Sequence, residues 1–177
     1  GLYFGFGSEQ DFSDSNSVIA FAVGGGLSLP DRDYYTNSDA KSKDLRAKYL
    51  AHVARVFALM GDAPAVAKQH AATVLRTETT LARATLSVVD RRDPYKLFHK
   101  MDLAQLQALT PGFDWGVFLQ AMGLAEVRAF NVTEPQFYKA MARHWKASSL
   151  DDIKVYLRWH VAHAQASSLS SAFVAEN

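Results

Sequence analysis

The spacing of apolar and polar positions divides the chain into a short leading part and a long helical one. In Leu2-Tyr3-Phe4-Gly5-Phe6-Gly7, aromatic residues alternate with glycines. Residues 8–17 are polar, with Asp11, Asp14 and Asn16 available for turns, and Val18-Ile19-Ala20-Phe21-Ala22-Val23 is a partly β-branched apolar run. The pattern predicts two strands around a polar loop, with Gly1-Leu2-Tyr3-Phe4 already inside the first. A two-stranded ribbon is marginal by itself, so this one is expected to pack on helices or join a sheet supplied elsewhere.

From about residue 39 the period becomes helical. Leu45, Tyr49, Val53, Val56, Phe57 and Met60 form one apolar face of a helix of several turns, and Gly61 is placed to end it. Asp62 and Pro64 predict the next helix start, with Asp62 as cap, and the helix runs through Val66, Val74, Leu75 and Leu81 to about Leu86. Asp93-Pro94 breaks the pattern. Short helices are then expected at Tyr95–Phe98, at Asp102–Leu109 with Asp102 as cap, and at Phe113–Met122; Val127–Val132 reads as extended. Thr133-Glu134-Pro135 opens a helix through Phe137, Tyr138, Met141 and Trp145. Ser149 and Asp152 resemble a capping box for the longest candidate, whose face continues through Ile153, Tyr156, Leu157, Val161, Leu169 and Phe173 towards Glu176-Asn177. The fold class is therefore mainly α: a multi-helix domain with an N-terminal two-stranded β-ribbon.

Composition narrows the function classes. The balance of 19 Lys and Arg against 18 Asp and Glu lacks the basic excess of a nucleic-acid binder. With no cysteine, disulfides, thiolate nucleophiles and thiolate metal sites are excluded. No run approaches the roughly 18 apolar residues that span a bilayer, and no signal peptide is recognisable. The first residue is not Met, which predicts numbering that begins partway through a longer product.

Candidate chemistry is sparse. His160 and His163 stand at i, i+3, but the helical zinc motif places its histidines at i, i+4 with a Glu between, and a catalytic site needs a third ligand. A helix surface or a hydrogen-bonded neighbour is the expected setting of both. His52, His70, His99 and His144 are isolated and read as surface or core residues. Glu78, between Thr77 and Thr79, reads as solvent-facing, the commoner state, or as a buried paired carboxylate. Gly24-Gly25-Gly26 lacks a following Lys-Ser or Lys-Thr and meets Pro30, so it reads as a flexible strand exit and not a phosphate loop. Leu29-Pro30-Asp31-Arg32-Asp33-Tyr34-Tyr35 reads as a corner from ribbon to helix in preference to a binding loop, and Asp90-Arg91-Arg92-Asp93-Pro94 likewise. No catalytic and no metal-binding residue is assigned; the substrate-binding residues are not specified.

Several segments, in order, resemble the neprilysin and endothelin-converting-enzyme family of zinc metalloendopeptidases, in a bacterial form. They are Gly26-Leu27-Ser28-Leu29-Pro30-Asp31-Arg32-Asp33-Tyr34-Tyr35, then Arg92-Asp93-Pro94 with Lys100-Met101-Asp102-Leu103-Ala104-Gln105-Leu106. Phe113-Asp114-Trp115, Glu134-Pro135-Gln136-Phe137-Tyr138 and Tyr156-Leu157-Arg158-Trp159 follow. The resemblance implies the upstream, non-catalytic region of such an enzyme. Residues 1–26 would be a ribbon belonging with a sheet of a catalytic domain outside this sequence, and 27–177 a helical lid domain over the active-site chamber. Zinc would be bound in the full-length parent and not in this segment, which lacks His-Glu-x-x-His and would be inactive alone. The implied partners are the catalytic domain of the same polypeptide and peptide substrates, and the implied location is extracytoplasmic, periplasmic or secreted. The alternative is a stand-alone helical binding module without catalytic activity.

Overall fold

In chain order the elements are β1 (Phe4–Asp11), β2 (Asp14–Gly24), α1 (Asp33–Thr36), α2 (Ala40–Leu59), α3 (Pro64–Ala84), β3 (Lys100–Asp102), α4 (Leu103–Leu109), α5 (Trp115–Ala121), β4 (Ala129–Val132), α6 (Pro135–Ala147), α7 (Leu150–Gln165) and α8 (Ser171–Glu176). They come from a computed structural model that describes residues 2–176. Gly1 and Asn177, where the strand and last-helix expectations began and ended, lie outside the described residues. The class is mainly α, as the spacing predicted. The chain forms two compact units, each built from two stretches of sequence.

The first unit comprises Tyr3–Gly26 and Ala84–Ala147. Its ribbon is half of a four-stranded sheet of order β1-β2-β4-β3. β2 pairs antiparallel with β1 and parallel with β4, and β3 closes the far side antiparallel to β4. The extended reading of 127–132 thus marks a sheet strand, whereas β3, at three residues, is too short to leave a period. Alternation explains the leading sequence: Phe4 and Phe6 share one face and meet Trp115 (ring centroids 5.2 and 6.2 Å) and Phe118 (5.6 and 5.4 Å). Phe113 and Tyr138 complete that cluster around Phe4. The indole N–H of buried Trp115 donates to Thr110 Oγ1 at 2.7 Å, whereas the buried Tyr138 hydroxyl in the same cluster has no hydrogen-bond partner among the described residues. Capping matches expectation at α4, where Asp102 and Gln105 form a reciprocal box.

The second unit comprises Leu27–Arg83 and the described part of Ser148–Asn177, with Leu2. Tyr49, Val53, Val56 and Phe57 of α2 pack with Ala67, Ala71 and Val74 of α3 and with Val155, Trp159 and Ala162 of α7. Helix α2 ends at a left-handed Gly61 (φ 96°), with Gly61 N–H on Ala58 O and Asp62 N–H on Phe57 O, the paired bonds of a Schellman end. Two details depart from the sequence reading. Asp62 does not cap α3; its carboxylate accepts from His70 and Arg158 instead. Ser149 caps α7, but Asp152 turns to Thr73 and Arg76 and leaves the reciprocal half of the box unmade. The last helix is also broken after Gln165, where serines 167, 168, 170 and 171 offer the backbone competing hydrogen bonds.

Candidate functional site

The buried side of α3 is a stripe at 67, 71, 74, 78 and 81, and its fourth member is an acid. Glu78 is fully buried. Its Oε1 accepts from Ser28 Oγ at 2.7 Å, and Oε2 accepts from Tyr35 Oη at 2.9 Å and Tyr49 Oη at 2.7 Å. Two of the three donors are themselves tied. Tyr35 Oη accepts the backbone N–H of Ser28 (3.0 Å) and of Leu29 (2.7 Å), and Ser28 Oγ accepts the Trp159 indole N–H at 3.0 Å. His160, buried against the Tyr156 ring at 4.4 Å, brings Nε2 to 3.2 Å from Glu78 Oε1, within ion-pair distance but out of hydrogen-bonding line.

Burial first, and the Glu78 charge second, push the phenols of Tyr35 and Tyr49 far above their usual range, so both stay protonated and donate. The carboxylate is enclosed and its oxygens are committed to hydroxyls. This arrangement holds the Ser28–Leu29 backbone, α1, α2 and α3 together and offers no open face to a reactant. The Leu29–Tyr35 segment is accordingly a corner: Tyr35 is its buried pin, Asp31 Oδ1 accepts Asp33 N–H at 2.8 Å, and Arg32 and Asp33 lie at the partly exposed turn.

The solvent-facing reading of Glu78 is corrected by this cluster. A signal was available in sequence, because the 4-3-4-3 spacing of Ala67, Ala71, Val74, Glu78 and Leu81 places the acid in an apolar stripe. The glycine run is also tighter than a flexible exit. A Cβ on Gly24 would stand 2.8 Å from Glu134 Oε2 and 3.1 Å from Phe137 Cγ, and one on Gly25 3.4 Å from Phe4 Cα. Glu134 is buried as well; its Oε1 accepts the Leu86 N–H at 2.6 Å, and burial raises its carboxyl above the usual range despite that bond.

The remaining histidines do not converge. His52 pairs with Glu176 and His70 with Asp62, each at 2.7 Å. His99 donates its backbone N–H to Asn131 Oδ1, His144 lies beside Tyr3, and His163 stacks on Trp159 at 5.1 Å. In the Asp90–Pro94 segment, Asp90 takes Ser87 and Lys96 as partners and Asp93 caps the following turn. Among the described residues no group of three or more His, Asp or Glu could hold a metal ion, so the donors present do not fit a zinc site.

The profile of the N-terminal part of Peptidase family M13 matches residues 1–177. Neprilysin-3 of Drosophila melanogaster is 28% identical over 96% of this chain, which spans 23% of that protein. Endothelin-converting enzyme 1 of Rattus norvegicus is 28% identical over 93%, spanning 22% of its length. Among solved structures, the Mycobacterium tuberculosis zinc metalloprotease Zmp1 in complex with an inhibitor superimposes on 98% of the chain with a TM-score of 0.91 at 31% identity, using 27% of the Zmp1 chain. The chain therefore spans about a quarter of the length of the relatives it matches. With a full-length profile match and a shared fold, this chain belongs to peptidase family M13.

Proposed function

We propose that the chain is the helical region of a zinc metalloendopeptidase that covers the active-site chamber and restricts which peptides enter. The zinc and its ligands would belong to a catalytic domain elsewhere in the same polypeptide, and peptides would be the substrates. The observation that carries this reading is the fit of nearly the whole chain to about one quarter of Zmp1. Zmp1 is also described in an open state and a partial open state, which supports a family in which access changes. An extracytoplasmic location belongs to the same proposal. No helix among the described residues is long and apolar enough to cross a membrane.

Two measurements test it. The full-length protein should cleave a short peptide in a zinc-dependent way, with kcat/KM falling steeply for a long unstructured polypeptide, whereas the 177-residue chain should cleave neither. Zinc-dependent hydrolysis by the shorter chain, or equal kcat/KM for both substrates, would overturn it.

A further inference from the structure

The two edges of the sheet are unlike. The β3 edge is three residues long and runs straight into α4, whereas β1 carries eight residues. Edge strands are commonly blunted by Pro, Lys, bulges or brevity, and Phe4–Gln10 has no Pro or Lys and pairs in unbroken register with β2. The direction of its free backbone groups follows from the ladder. Thr133 N–H donates to Ala22 O, so Ala22 turns its peptide groups towards β4 and away from β1. Ala22 stands opposite Phe6, and opposed antiparallel residues turn the same way relative to their shared ladder. The N–H and C=O groups of Phe4, Phe6, Ser8 and Gln10 therefore point to the outer edge, while Gly5, Gly7 and Glu9 bond β2. The strand is open to solvent there: a Cβ at Gly7 would meet nothing within 4 Å, and Gly7 to Gln10 are exposed.

We propose that this outer edge of β1 is completed by an extended strand from the remainder of the family-length polypeptide, which adds to the sheet through the backbone groups of Phe4, Phe6, Ser8 and Gln10. The occupant is argued from length: about three quarters of the Zmp1 chain lies outside the part this chain matches, and an eight-residue row of directed donors and acceptors is a recognition surface for an extended backbone. The exposed Glu9 favours a basic residue on the incoming strand. The proposal rests on the reading of this chain as part of a longer peptidase.

Residue-resolved hydrogen exchange tests it. In the full-length protein the amides of Phe6 and Ser8 should exchange roughly a hundredfold more slowly than in the 177-residue chain. Gly5 and Gly7 should be protected alike in both. Ser8→Pro removes an outward N–H and no β1–β2 bond, so in the full-length protein it should restore fast exchange at Phe6 while leaving Gly7 protected. That comparison holds whether or not the shorter chain folds alone. Unchanged exchange at Phe6 in Ser8→Pro, or equal rates at Phe6 and Ser8 in the two lengths, would overturn the proposal. A dimer of the 177-residue chain with those amides already protected would assign the edge to a second copy and overturn it too. The peptidase reading fails separately, on loss of zinc-dependent hydrolysis, which the exchange pattern does not report.

Discussion

Replacing Glu78 by alanine isolates the contribution of the buried cluster. Three hydroxyls, on Ser28, Tyr35 and Tyr49, lose their acceptor inside the protein. An unsatisfied buried group costs about 1–3 kcal/mol, which gives roughly 3–9 kcal/mol for three. Removing a buried charge returns part of that, since the carboxylate no longer has to be desolvated, and a net loss of about 3–6 kcal/mol remains. Against a typical domain stability of about 5–15 kcal/mol, Glu78→Ala should leave the second unit near or past its unfolding threshold. Glu78→Gln keeps the shape and one carbonyl acceptor but directs an NH2 group at hydroxyl donors, so a smaller loss of about 1–3 kcal/mol is expected. The assay is urea unfolding followed by tryptophan fluorescence, because Trp159 is buried and bonded to Ser28 within the cluster. If Glu78→Ala lost less than about 1 kcal/mol, or no more than Glu78→Gln, the assignment of Glu78 as the shared acceptor would be wrong.

Two further predictions concern the first unit. Gly24→Ala drives a methyl against Glu134 and the buried Phe137 ring, and should lower stability by about 1–3 kcal/mol, read as a reduced Tm; an unchanged Tm would show that the neighbours yield. For Glu134 the folded carboxyl pKa is raised by burial, so its stabilising contribution is complete below the ordinary value of 4.5 and is lost as pH rises through the folded one. Stability should decline as pH rises above 4.5, and Glu134→Gln should flatten that decline; parallel urea-midpoint profiles for both proteins would refute the assignment.

The helices were legible wherever one face alone is buried. The α2 series from Leu45 to Met60 and the caps at Asp102 and Ser149 follow from spacing and local hydrogen bonding, and the structure keeps them. What was not legible depends on partners distant in sequence. The place of Glu78 in the apolar stripe of α3 is a local signal, but its partners Ser28, Tyr35 and Tyr49 are not, and Asp62 reads as a cap until His70 and Arg158 compete for its oxygens. β3 is invisible because three residues carry no period, and it exists only through pairing with β4. The corner at Leu29–Tyr35 was recognisable as turn chemistry, but its buried anchor was not, since a tyrosine hydroxyl does not announce its acceptor.

The parallel pairing of β2 with β4 also sets an order of events during synthesis. Ala20 stands opposite Phe130, so the sheet cannot close until the intervening chain has been made. At ribosomal rates of about 5–20 residues per second, the β1–β2 hairpin would wait roughly 5–20 s with Phe4 and Phe6 uncovered. Such long-range closure is intrinsically slow and leaves an adhesive aromatic surface in the nascent chain. The stage most exposed to aggregation, and to chaperone capture, is therefore the interval before residue 132 emerges.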